Sequence, residues 1–393
     1  MLLVPSILLS RRSNRKMFAG CLVSGFLFGL LGSLLPVWGF HISGDYRTAG
    51  TYFLVLIAGM LLSAFLVRKF WPVHEAATVL NAGCLLASGA LTCLALVPAN
   101  VPLARHVSLF CIGLAAGLVN TALFEALQPA YEKNAAQALN VAGIYFGIGC
   151  LLSAALVAGS FYLYSMTFIL LALALVPLVY AALYWRTAFE GHAAAEQRPV
   201  AQALRDSLNL GAVVFALLLF FQFANEWSVA GWLPLYLIDR LGISPAASLW
   251  LLCYYWLALT VGRVAVFSLL PRVRPSRVLF LSAAAALFGC FILVMTNNLF
   301  GAVMGILFLG GGMASIYPLV AARIGGRFAY YHPGFFNGIF SIGLAGGMLA
   351  PAVLGAAAAV YGLGAVMALP AAGTCMVVVL LLTLWLETRI TGR

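Results

Sequence analysis

The sequence predicts an all-α membrane protein with twelve transmembrane helices arranged as two pseudo-symmetric six-helix bundles. Three observations predict it. The first is composition: of 393 residues, 64% are hydrophobic and only 8% are charged, whereas a soluble domain carries about 25% charged residues. The second is run length. Apolar runs of 20 to 28 residues alternate with polar breaks, and about 20 apolar residues cross the hydrocarbon as a helix. The runs do not alternate polar with apolar residues, as the wall of a membrane barrel must. The third is the distribution of charge. With the N-terminus inside, 18 of the 21 Lys and Arg residues fall on the cytoplasmic side, and only Arg47, Arg105 and Arg240 fall outside. This is a positive-inside pattern. It places both termini in the cytoplasm and independently requires an even number of spans. The net charge of +11 is therefore explained by topology, and nucleic-acid binding is not expected.

The expected spans follow in order. Run 1 (17–42) begins after Arg15 and Lys16 and contains Pro36. Run 2 (48–67) stops at Arg68 and Lys69. Runs 3 (76–98) and 4 (103–128) follow, and the fourth carries Glu125. Run 5 (138–162) opens on Asn140 and three glycines, and run 6 (164–185) stops at Arg186. Run 7 (210–237) carries Glu226, and run 8 (246–270) carries Arg263. Run 9 (276–296) opens on Ser276 and Arg277 and is apolar beyond them except at Ser282 and Thr296. Runs 10 (298–323) and 11 (334–360) contain LGGGMAS and GLAGGMLAP, and run 12 (364–386) stops before Glu387. Small residues of this kind let helix backbones approach closely in lipid. Residues 1–16 are too short to span and lack the leading positive charges of a secretory signal. They are expected to form a cytoplasmic stub. Residues 17–185 form the first bundle, 186–209 a cytoplasmic linker, 210–386 the second bundle and 387–393 a cytoplasmic tail.

The two bundles resemble each other in sequence. LLPVW at 34–38 matches WLPLY at 232–236, with Pro36 and Pro234 in register. Tyr52 and Gly59 match Tyr255 and Gly262. Asn140 and the glycines after it match Asn337 and the glycines after it. The offsets are 198, 203 and 197. Parallel six-helix repeats are one way in which transporters build a site near the midplane.

Chemistry is sparse. All eight cysteines lie inside apolar runs and behave as small hydrophobes. No phosphate loop, metal-ligand cluster or nucleophile with its base is present. No enzyme activity, catalytic residue, metal or cofactor is expected, and no loop is long enough for a nucleotide-binding domain. Of ten acidic residues, only Glu125 and Glu226 fall well inside runs. A carboxylate at a helix centre costs about 2.5–3.5 kcal/mol on insertion scales, so it needs a partner, water or a proton. Helical spacing gathers Gln222, Asn225, Glu226 and Trp232 on one broad face. That face predicts a substrate site, with Glu226 also able to carry a proton. Asn120, Tyr145 and Asn337 are further candidates for substrate contact. Glu125 is a candidate for proton coupling or for a gate with Arg263 or Arg323. The bland alternatives are a structural protonated acid at Glu226 and a snorkelling arginine at 263.

Several stretches resemble the fucose-permease-like branch of the major facilitator superfamily. They are QALNVAGIYFGIG at 137–149, NEWSVAGWLPLYL at 225–237, LTVGR at 259–263 and SIYPLVAA at 315–322. In that branch the Glu of the seventh helix precedes a Trp by six positions, as Glu226 precedes Trp232. The resemblance implies alternating access around a midplane site, often with proton-coupled sugar uptake. There are departures. The branch's fucose permease has an acidic residue on each of helices 1 and 4; the matching positions here are Gly32 and Asn120. FLVRKF at 65–70 and LLPRVRPSR at 269–277 keep the basic charges of the superfamily loop motif without its aspartate. The Gly-Pro motif of drug antiporters on helix 5 is missing, with Ser153 near the proline position.

The expected function is secondary active transport of a small polar, sugar-like solute across the bacterial inner membrane, coupled to protons, by a monomer. An exporter of amphiphilic compounds is the alternative. A transporter-like sensor without flux is the alternative of another class.

Overall fold

Each apolar run becomes a helix, for the reason given by its length: in hydrocarbon only intra-segment hydrogen bonds satisfy the backbone. A computed structural model describes residues 12–70, 76–97, 101–133, 135–185, 187, 210–270, 272–327 and 339–391. The twelve helices are α1 (Arg12–Val37), α2 (Tyr46–Phe70), α3 (Ala76–Leu96), α4 (Pro102–Lys133), α5 (Ala135–Ser160), α6 (Met166–Tyr184), α7 (Leu210–Leu241), α8 (Pro245–Leu269), α9 (Pro275–Met295), α10 (Leu299–Arg327), α11 (Ile339–Tyr361) and α12 (Gly364–Thr391). Among the described residues, twelve helices are long and apolar enough to cross a membrane.

Several boundaries differ from the sequence expectation; α4 runs on to Lys133 and α7 to Leu241. Run 1 extends to residue 42, whereas α1 stops at Val37 and a single turn, Phe40–Ser43, follows. Gly39 at φ 75 and Gly44 at φ 66 bracket that turn, a left-handed conformation glycine adopts without a Cβ clash. Helix α10 is interrupted by a turn at 314–315, between Leu299–Met313 and Ile316–Arg327. Helix α12 continues through Glu387 to Thr391. There Arg327 of α10 grips Glu387 with two bonds, at 3.0 and 2.6 Å. Gly211 of α7 leaves room for the guanidinium; a Cβ on it would lie 2.9 Å from Arg327 Cζ.

The chain folds as two compact units. In the first, which runs up to Leu31 and resumes at Tyr52, α3 packs on α4 and α6, and α5 on α4 and α6. In the second, which takes Gly32–Thr51 together with α7 to α12, α7 packs on α8, α11 and α12. Helix α10 packs there on α8 and α9, and α9 on α12.

Glycines make the same contacts in both units. A Cβ on Gly149 of α5 would overlap the Leu22 carbonyl of α1. A Cβ on Gly346 of α11 would overlap the Phe220 carbonyl of α7. Gly346 and Phe220 stand 197 and 198 residues after Gly149 and Leu22. Likewise Gly59 of α2 lies against Gly113 of α4, and Gly262 of α8 against Gly311 of α10. The weak sequence repeat is thus repeated as helix packing, as two pseudo-symmetric bundles require.

Candidate functional site

Helix α7 runs unbroken from Leu210 past its midpoint, and its only proline is Pro234. That continuity carries Glu226 deep into the second unit, where the residue is 4% exposed. Arg263 of α8 is equally buried, at 4%, and its Nη2 lies 3.5 Å from Glu226 Oε1. Arg263 is therefore not a snorkelling arginine. Gln222, one turn before the glutamate, faces the same carboxylate. Its Nε2 also donates to the Met313 carbonyl at 3.5 Å. Tyr255, also on α8, donates to the Glu226 carbonyl oxygen at 3.4 Å and meets Trp256 edge to face at 5.1 Å. Trp256 in turn lies 6.4 Å from Trp227 of α7.

Four buried polar atoms here have no partner among the described residues: Glu226 Oε2, Asn225 Oδ1, Ser228 Oγ and Trp256 Nε1. Buried polar atoms in native proteins are nearly always satisfied, and in an apolar medium each unmet one costs several kcal/mol. The pair thus keeps one acceptor, Glu226 Oε2, open to a polar ligand or water. Its formal charge is zero, because Arg263 balances Glu226.

The helical face expected from spacing is divided in the structure. Gln222 and Glu226 stay together and add Arg263. Asn225 turns toward α12, where its Nδ2 donates to Thr374 Oγ1 at 3.2 Å. Gly373 makes room for it, since a Cβ there would overlap Asn225 Oδ1. Trp232 turns toward α11. Its Nε1 donates to the Pro351 carbonyl of α11 at 2.8 Å, and Tyr46 meets it edge to face at 6.4 Å. Tyr236 donates to the Leu293 carbonyl of α9 at 2.8 Å. The physical reason is that each polar tip takes the nearest free carbonyl or hydroxyl of the helix it packs against, and α7 packs against several.

The arginines expected opposite Glu125 are both satisfied inside the second unit. Arg263 meets Glu226, and Arg323 donates to Ser276 Oγ. Glu125 itself is exposed on α4. In the first unit, Asn120 Oδ1 accepts from Ser24 Oγ at 3.3 Å. Tyr145 stacks on Phe18 at 6.2 Å, and Asn140 is buried. Asn337 lies outside the described residues. Sequence reasoning missed Gly373 and Thr374. Small residues inside apolar runs carry no signal until a neighbouring helix is known. No group of three His, Cys, Asp or Glu residues able to hold a metal occurs among the described residues.

No protein-family model matches the sequence, and no curated protein matches it at the sequence level. Solved structures do match. A major facilitator superfamily transporter, FucP, in the outward conformation aligns over 93% of this chain and 97% of its own, with a TM-score of 0.62 and 16% identity. A point variant of the E. coli fucose:proton symporter FucP gives the same values. The human organic anion transporter MFSD10 aligns over 94% of this chain and 100% of its own, with a TM-score of 0.62 and 15% identity. The chain has the major facilitator fold.

Proposed function

We propose that this chain is a secondary transporter that moves a small polar solute across the bacterial inner membrane by alternating access, with proton coupling at Glu226. The observation that carries this reading is the neutral Glu226–Arg263 pair, 3.5 Å apart and nearly fully buried, with Glu226 Oε2 left unmet. A merely structural ion pair in a membrane bundle would be fully satisfied, because breaking even is hard for such a pair. Here one carboxylate oxygen is left over. An incoming proton on Glu226 removes the negative charge that holds Arg263. The arginine and the neutral acid then become donors for a solute oxygen. Release of the proton restores the pair. Gln222 orients the carboxylate throughout. The major facilitator fold and the fucose:proton symporter among its structural neighbours support the coupling direction. The 18-to-3 charge distribution supports cytoplasmic termini.

Proteoliposome transport tests the reading. An inward proton gradient should drive accumulation of the solute by the wild-type protein. Glu226→Gln should abolish gradient-driven accumulation while leaving counterflow exchange, because a permanently neutral side chain still binds solute and cannot release a proton. Full accumulation by Glu226→Gln would overturn the coupling role. Solute efflux as the sole active direction would favour the exporter, and binding without any flux would favour the sensor.

A further inference from the structure

A second polar feature lies at a helix end and takes no part in the solute reading. The first span begins at Lys16, and the sixth ends at Tyr184, so both belong to one membrane interface. Between them opens a groove of about 590 Å3, lined by Lys16, Leu85, Leu178, Ala181, Leu183 and Trp185 among others. It is a built feature. Tyr184 donates to the Lys16 carbonyl at 2.8 Å, and Asn81 of α3 donates to the Ala181 carbonyl of α6 at 2.6 Å. Lys16 Nζ donates to Thr187 Oγ1 at 2.7 Å, and Thr187 in turn donates to the Leu183 carbonyl at 2.9 Å.

Lys16 is thus held in place by a neutral hydroxyl, with no carboxylate beside it among the described residues. An ammonium has three donors, and Thr187 takes one. Below it the walls are aliphatic, and the indole of Trp185 is 70% exposed at the rim. A tryptophan at this level is the usual marker of the headgroup region. The groove therefore sets a cation and an amphipathic ring at the ends of α1 and α6, with an apolar trough about two turns further along α6 at Leu178. We propose that this groove binds one anionic phospholipid, with the phosphate on Lys16 Nζ, the glycerol region beside Trp185 and an acyl chain along Leu178 and Leu85. Charge complementarity selects the anionic lipid. A zwitterionic headgroup carries its own ammonium and gains less from the lysine.

The test uses the full chain purified in a neutral detergent, titrated with phosphatidylglycerol or phosphatidylcholine of identical acyl chains. Binding is read by native mass spectrometry and by the thermal midpoint. One lysine near a negative headgroup should give about a fivefold preference for phosphatidylglycerol. Lys16→Gln should remove that preference and leave phosphatidylcholine binding unchanged. Arg274→Gln, which deletes an exposed positive charge elsewhere, should leave the preference intact. Leu178→Trp, which fills the trough, should weaken both lipids, and it decides the matter if Lys16→Gln does not fold. Equal losses in Lys16→Gln and Arg274→Gln would overturn the proposal, because they would report net charge alone. Undiminished binding in Leu178→Trp, or displacement of phosphatidylglycerol by equimolar inorganic phosphate, would overturn it as well.

Discussion

Gly149 brings α5 onto the Leu22 carbonyl of α1, and Gly346 brings α11 onto the Phe220 carbonyl of α7. These contacts correspond residue by residue across a shift of 197 and 198. The polar residues of the two halves correspond much less. In the second unit a glutamate and an arginine are buried together between α7 and α8. In the first, the position equivalent to Arg263 on α2 bears no cation, and the carboxylate present, Glu125, is exposed on α4. Backbone contact tolerates only the absence of a Cβ, so it is repeated wherever the helix pair is repeated. Polar side chains are constrained only by having a partner, so one half can acquire a charged pair that the other lacks.

The largest effect should come from breaking what the halves share. Gly149→Leu and Gly346→Leu each push a side chain into a neighbouring backbone carbonyl. Overpacking costs about 1–3 kcal/mol or more, and backbone cannot yield as a side chain can. Both variants should lose most of their monodisperse protein in size-exclusion chromatography of detergent extracts. Gly89→Leu, where a Cβ meets nothing within 4 Å, should extract as well as wild type. Loss in only one of the two glycine variants would break the equivalence of the halves.

The next effect should come from what they do not share. Arg263→Leu leaves the Glu226 carboxylate buried without its counter-ion. Removing one partner of a buried pair costs about 3–5 kcal/mol, whereas replacing both by apolar residues is often neutral. The thermal midpoint should therefore fall sharply in Arg263→Leu and recover in the Arg263→Leu, Glu226→Leu double variant. A double variant as unstable as the single one would show that the pair is needed for packing rather than as balanced charge. A smaller loss should follow from Thr374→Val, which takes the hydroxyl from Asn225 Nδ2. A buried donor left unmet costs about 1–3 kcal/mol.

Those residues also show what the sequence could disclose. Span number and bundle repetition were legible because hydrocarbon thickness and close backbone approach leave a mark on single residues and their spacing. Glu226 was legible because a carboxylate within an apolar run is costly anywhere. The pairing of Glu226 with Arg263 was not, since it depends on how α8 is rotated against α7, and a single helical face does not encode that. The same ignorance of neighbours grouped Asn225 and Trp232 with Glu226. Their hydrogen bonds instead go to Thr374 on α12 and Pro351 on α11. The end of α1 at Val37 was hidden by the apolar residues that continue past it, while Gly39 supplied the turn.

The smallest effect distinguishes the two intramembrane glutamates directly. Glu125 is exposed, and among the described residues it forms no ion pair. Glu125→Gln should change stability by no more than about 0.5 kcal/mol, the range of exposed substitutions away from special features. Glu226→Gln should shift the thermal midpoint more, because it removes the buried negative charge opposite Arg263. In proteoliposomes the pH dependence of solute accumulation should survive Glu125→Gln and vanish with Glu226→Gln. A shifted pH profile in Glu125→Gln at unchanged thermal midpoint would instead make coupling a property of both halves. The asymmetry in burial would then be one of stability alone, and the charged pair of α7 and α8 would be only one of two proton-binding positions.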